Sequence, residues 1–110
     1  MDKAIKVNHY ENGIEKILTS IEGLVIFSET KPTGYGSCLN VFIKSDEGLA
    51  DIRWQNSPNN ADIRVGDRIR GFYRNKEMNI IYMEAYEILN DKNEVLTRAR
   101  KEGYRFIDPE

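Results

Sequence analysis

From Ser20 onward apolar and polar residues alternate along much of the chain with a period of two, which on a pleated backbone sends successive side chains to opposite faces. In residues 38–44, Leu39, Val41 and Ile43 share one face, while Cys38, Asn40, Phe42 and Lys44 share the other. The same pattern predicts strands over residues 21–28, 38–44, 49–55, 68–74 and 79–89, rich in β-branched and aromatic side chains. Breakers punctuate them. Lys31-Pro32-Thr33-Gly34-Tyr35-Gly36-Ser37 reads as a long loop and Asp46-Glu47-Gly48 as a tight turn. Asn56-Ser57-Pro58-Asn59-Asn60 reads as a second long loop, and Asn75-Lys76-Glu77-Met78 as a hairpin connection. Gly23 interrupts the first strand where a barrel strand can coil sharply.

The ends are patterned differently. Ile14, Ile17 and Leu18 follow Asn12 at helical spacing, which fits either a short helix or an extended lead-in. Residues 91–103 predict a helix: Asp91 as cap, Glu94 three positions on, Val95 and Leu96 as apolar positions, and Arg98, Arg100 and Lys101 in the last turn before Gly103. Tyr104 and Phe106 are placed to fold the tail back onto the strands. Five closely spaced strands, with no helix among the first four, predict an antiparallel meander closed into a barrel. The expected organisation is an N-terminal extension over 1–19, a barrel over 20–90, and a helix with tail over 91–110.

Composition narrows the chemistry. At 110 residues, 40% hydrophobic and 31% charged, the chain is sized and balanced for one globular domain. Its longest apolar run is the four residues 24–27, and residues 1–6 lack the apolar core of a signal peptide, so a cytoplasmic location without membrane contact is the expectation. Cys38 is the sole cysteine, which excludes an intrachain disulfide and a cysteine-cluster zinc site, and it suits a packed small hydrophobe. His9 is the sole histidine and lies in the lead-in. Neither a phosphate-binding P-loop nor a dinucleotide fingerprint occurs. The expectation is therefore a non-catalytic protein with no cofactor and no metal.

Charge is unevenly spread. Residues 1–50 carry five lysines against seven acids, and residues 77–110 five bases against eight acids. Residues 51–76 carry six bases against three acids, in a chain of net charge −2. One local anion-binding surface fits that distribution better than bulk attraction to a polyanion.

In order and spacing, the elements resemble the OB-fold nucleic-acid-binding domains, especially the replication-protein-A-like and anticodon-binding branches. Ile21-Glu22-Gly23-Leu24-Val25 matches the first strand, and Phe42-Ile43-Lys44-Ser45-Asp46-Glu47-Gly48 the second strand with its turn. Val65-Gly66-Asp67-Arg68-Ile69-Arg70-Gly71 matches the fourth, and Tyr86-Glu87-Ile88-Leu89 the end of the fifth. The resemblance spans roughly residues 20–90 and implies an all-β, five-stranded antiparallel OB-fold barrel. One feature departs from it: residues 56–64 are too short and too rich in Asn and Pro for the helix many members place between strands three and four. Ile63, Val65 or the terminal segments would have to plug the barrel instead.

Period two then sorts the side chains. Leu39, Val41, Ile43, Ile52, Trp54, Ile69, Gly71, Ile81, Met83 and Ala85 are expected inside. Phe42, Lys44, Arg53, Arg68, Arg70, Phe72, Arg74 and Tyr82 are expected outside, with Tyr86 joining them if a bulge near Glu87 returns Ile88 inward. Tyr35 and Lys76 lie in the flanking loops. Bases stack on such rings while cations follow the phosphates, so the expected ligand is single-stranded DNA or RNA. The bland alternatives are burial of Phe42 and Phe72 beneath the terminal segments, and pairing of the arginines with Asp51, Asp62, Asp67, Glu84 and Glu87. A different functional class also fits: the acidic balance and charged C-terminal segment suit a protein-interaction barrel in a replication, repair or translation assembly.

Overall fold

A computed structural model of the chain describes residues 6–11, 14–34, 36–57 and 63–107. Nine strands lie among them and no helix: β1 (Lys6–Glu11), β2 (Ile14–Ile17), β3 (Thr19–Thr33), β4 (Gly36–Ser45), β5 (Gly48–Ser57), β6 (Arg68–Glu77), β7 (Ile80–Leu89), β8 (Val95–Arg100) and β9 (Tyr104–Ile107).

The five strands β3 to β7 form a closed barrel. β3 pairs antiparallel with β6 through residues 19–24 and with β4 through residues 23–33. β4 pairs with β5, and β6 with β7, also antiparallel. The ring closes where β5 and β7 run parallel, with Asp51, Ile52 and Arg53 opposite Ile80, Ile81 and Tyr82. This corrects the purely antiparallel expectation. A ring with an odd number of strands cannot alternate direction all the way round, so one pair must be parallel. The arrangement is compatible with an OB-like fold.

Val25, Leu39, Val41, Ile43, Ile52, Trp54, Ile69, Ile81, Met83, Tyr86 and Ile88 fill the interior, so the alternation in β4, β5 and β6 predicts the inner face correctly. Ile63 joins this core and serves as the plug, its carbonyl accepting the Ser28 hydroxyl at 2.7 Å, whereas Val65 is exposed. Gly23 sits where β3 is paired on both sides; a Cβ there would lie 2.5 Å from the Lys44 carbonyl oxygen. Only glycine allows the strand to be held that closely.

Two connections are tighter than expected. The β3–β4 ladder continues to Thr33 opposite Gly36, so most of the predicted first long loop is strand, and Pro32 is tolerated because this part of β3 pairs with β4 alone. The β6–β7 hairpin turns at Met78 and Asn79, whose φ values of 47° and 70° mark the two-residue turn that matches strand twist.

The predicted helix over 91–103 is not formed: residues 95–100 are strand β8, antiparallel to β7. Locally, the Asn90 side-chain carbonyl accepts the amides of Lys92 and Glu94, each at 2.9 Å, and the Asn90 amide donates to the Glu94 carbonyl at 2.9 Å. That loop reverses the chain before a helix can start. The tertiary reason is Glu87 on β7, which is 0% exposed. Its carboxylate accepts Arg70 Nη1 at 3.1 Å from β6 and Arg98 Nε at 2.9 Å from β8. Arg70 Nη2 also lies 3.6 Å from Glu22 on β3. Glu22, Arg70, Glu87 and Arg98 are direct cross-strand partners, forming one rung of alternating charge over four strands. Weak helical propensity yields to that pairing.

The lead-in is extended. β1 pairs with both β2 and β9 in a second, three-stranded sheet. Tyr104 and Phe106 return to the barrel as expected, packing with Leu18, Phe72 and Ala85 on the outside of β6 and β7. The bulge in β7 falls at Glu84 rather than Glu87, because Tyr73 pairs with Met83 but Phe72 with Ala85. The phase therefore inverts earlier than predicted. Ala85 faces out beneath the cover, and Tyr86 faces in, edge-on to Trp54 at 4.9 Å.

Truncating Glu87 to Ala would leave two guanidinium groups without their shared carboxylate. The expected loss is about 3 kcal/mol of unfolding free energy, at the lower end for a buried pair because Arg98 is partly solvated. Urea unfolding measures it; a loss under about 0.5 kcal/mol, the size of an ordinary surface substitution, would show that the rung does not hold the sheet.

Candidate nucleic-acid interface

The outer face of β3, β4, β5 and β7 carries four of the sequence-predicted residues side by side. Phe42 and Lys44 project from β4, Arg53 from β5 and Tyr82 from β7, and Arg53 is the direct neighbour of both Asn40 and Tyr82. Phe42 is 39% exposed. It is not alone: a bulge between Val25 and Phe27 turns Phe27 outward as the partner of Phe42, with ring centroids 5.3 Å apart and planes tilted by 33°. Phe27 was not among the predicted site residues. The available signal was the run Leu24-Val25-Ile26-Phe27, apolar at both parities, which a regular half-buried strand would not be.

Next to the ring pair, Leu24, Lys44 and Leu49 form one rung, and Leu24, Ile26 and Leu49 are exposed. On the other side lies Arg53. Its Nη2 reaches Asp51 Oδ2 at only 3.5 Å, and neither Arg53 Nε nor Asp51 Oδ1 has a hydrogen-bond partner among the described residues. Such a long contact holds the guanidinium weakly.

Beyond Tyr82 the face sinks into a polar cleft of about 450 Å³, lined by Gln55, Arg74, Glu77, Tyr82 and Glu84. Tyr104 lies beneath it, its hydroxyl hydrogen-bonded to both Arg74 and Glu84. Burial pushes the Tyr104 hydroxyl above its ordinary pKa; the nearby Arg74 guanidinium opposes the rise and the Glu84 carboxylate adds to it.

No family model, curated protein or solved structure matches this chain. The interface is therefore judged on its own geometry.

The remaining predicted residues separate into distinct settings. Lys76 is exposed on β6 close to the β6–β7 turn. Arg68 is exposed one strand away from the ring pair; it borders a shallow depression with Leu24 and Lys44, and its Nη1 lies 3.9 Å from Glu22. Arg70 is held in the charged rung between Glu22 and Glu87, which removes it from the candidate surface. Phe72 faces outward in phase but is 1% exposed, covered by β9 with the Phe106 ring edge-on at 5.9 Å. It is a core residue, not a stacking platform. Tyr35 lies outside the described residues. Among the described residues no group of three or more His, Cys, Asp or Glu side chains could hold a metal ion, and no helix is long and apolar enough to cross a membrane.

The two phenylalanines should respond oppositely to truncation. Phe72→Ala is expected to cost about 3–4 kcal/mol as a buried ring, whereas Phe42→Ala should cost under about 1 kcal/mol, both read from urea midpoints. Equal losses would mean that Phe42 is also packed. Tyr104 makes an alkaline prediction. Its folded-state pKa is raised, so the native state keeps a proton that the unfolded chain releases, and its contribution is intact below about pH 10 and lost as pH climbs through the folded value. Thermal unfolding between pH 9 and 11 should fall less steeply in Tyr104→Phe than in the unaltered chain; identical slopes would remove Tyr104 as a source of alkaline lability.

Proposed function

We propose that this barrel is a non-catalytic binder of single-stranded nucleic acid, DNA or RNA, which lies across the outer face of β4 and β5. The observation that carries the reading is the solvent-exposed Phe27–Phe42 ring pair, set on the same face as Lys44, Arg53 and Tyr82. Bases stack on exposed rings largely without regard to sequence, at about 1–3 kcal/mol each, and cations two residues along the strand are spaced to meet the backbone phosphates. Arg53 suits that role because its contact with Asp51 is long and its Nε is unpaired among the described residues. The resemblance in strand order to OB-fold nucleic-acid-binding domains supports the same face. Lys76 and Arg74 extend the cationic margin, and Arg68 reaches it across Leu24.

A second reading, a protein-interaction barrel within a replication, repair or translation assembly, is favoured by one specific observation. Leu24, Ile26 and Leu49 are exposed beside the two rings, giving the face five large exposed hydrophobics. Continuous apolar surface of this kind is what protein partners cover.

Fluorescence anisotropy with labelled single-stranded oligonucleotides at low and moderate salt decides between them. Saturable binding that weakens as salt rises is expected, with Phe42→Ala and Phe27→Ala each losing about tenfold in affinity while their unfolding midpoints stay close to that of the unaltered chain. No salt-sensitive binding at micromolar protein would discard the nucleic-acid reading and leave the protein-interaction one.

A further inference from the structure

The cleft next to Tyr82 has the wrong charge for a phosphate. Two carboxylates, Glu77 and Glu84, line it with one guanidinium, Arg74, and one amide, Gln55. Yet it continues the stacking face directly: Tyr82 neighbours Arg53, and Gln55 and Glu84 are each two residues further along the same parallel pair of strands. A strand running from the ring pair past Arg53 would deliver its next base, not its backbone, into this space. Glu84 and Arg74 are also held in place from below, each hydrogen-bonded to the buried Tyr104 hydroxyl. A cleft whose charged groups are positioned by a buried partner is preorganised for hydrogen bonding.

Resting on the reading above, we infer that this cleft is a base pocket selective for guanine. The chemistry is specific. Guanine alone among the common bases presents two adjacent donors, N1–H and the 2-amino group, on its Watson–Crick edge. A carboxylate accepts such a pair in parallel, as it does from a guanidinium. Glu84 is assigned that acceptor role and Tyr104 is its positioning residue. Gln55 and Arg74 supply donors for guanine O6, and Tyr82 supplies the ring against which the base rests. Thymine and uracil offer a single donor flanked by acceptors, which a carboxylate meets poorly. Adenine and cytosine offer a donor beside an acceptor, leaving one carboxylate oxygen facing a lone pair.

The test uses the full chain and three labelled 12-mers: oligo-dT, the same oligomer with three separated guanines, and a third with inosine in place of each guanine. Inosine keeps N1–H and lacks only the 2-amino group. The guanine oligomer is expected to bind about tenfold more tightly than the inosine one, within the range of a good bidentate base contact. In Glu84→Gln, which replaces one acceptor oxygen by a donor, that guanine-to-inosine ratio should fall to near one. Equal affinities for the guanine and inosine oligomers, with oligo-dT still bound, would overturn the pocket and leave the interface standing. Failure to bind all three would overturn the interface and the pocket together. Should Glu84→Gln not fold, as judged by circular dichroism, the ratio measured on the unaltered chain decides alone.

Discussion

The buried carboxylate of Glu87 constrains this molecule more than any other single group. Fully removed from water, it is tolerable only with cationic partners on both sides, and those come from Arg70 on β6 and Arg98 on β8. Glu22 adds a further carboxylate beside Arg70, so charge alternates along one rung from β3 to β8. Arg98 in turn stacks over Phe106 at 5.1 Å, which connects the rung to β9 and the terminal sheet. A segment with the marks of a helix becomes a sixth strand because β7 needs a cation at that position.

The rung also divides the barrel into a covered and an open side. Over β6 and β7, the terminal elements bury Phe72, Ala85 and Tyr104, and the arginines there are engaged with carboxylates. Over β3, β4 and β5, the outward rings and aliphatics meet solvent. Covering one side with residues from both chain ends leaves the other as the available binding surface. The parallel β5–β7 closure then sets Tyr82 next to Arg53, joining the open face to the polar cleft.

That open face mixes two kinds of recognition. Phe27 and Phe42 offer stacking area, and Leu24, Ile26 and Leu49 widen it into an apolar surface. Cations flank the rings without dominating them, since Asp51 lies beside Arg53 and Glu22 near Arg68. Phosphate attraction would therefore be local, as the charge distribution along the chain implies. The carboxylates of the cleft repel phosphate but accept base amino groups, so a strand would be oriented by repulsion as well as by attraction.

Alternation along β4, β5 and β6 was enough to identify the inner face, because a pleated strand sends every second side chain inward regardless of its neighbours. Leu39, Val41, Ile43, Ile52, Trp54 and Ile69 are all buried as their parity requires, and the turn at Asp46 and Glu47 closes where its residue types demand. Outward phase was equally legible, for Phe72 as much as for Phe42. What parity could not reveal was which outward residues would be covered: Phe72 lies under a strand more than thirty positions away in the chain, while Phe42 does not. Bulges escaped for a related reason. The extra residues at Ile26 and Glu84 leave no compositional mark strong enough to locate them, yet each inverts everything after it, turning Phe27 out and Tyr86 in. The fate of residues 95–100 was likewise decided across space, since a helix and a strand both suited their local preferences and only the carboxylate on β7 separated them. Local pattern thus determined strand and parity in this chain; contacts between distant segments determined what remained on the surface.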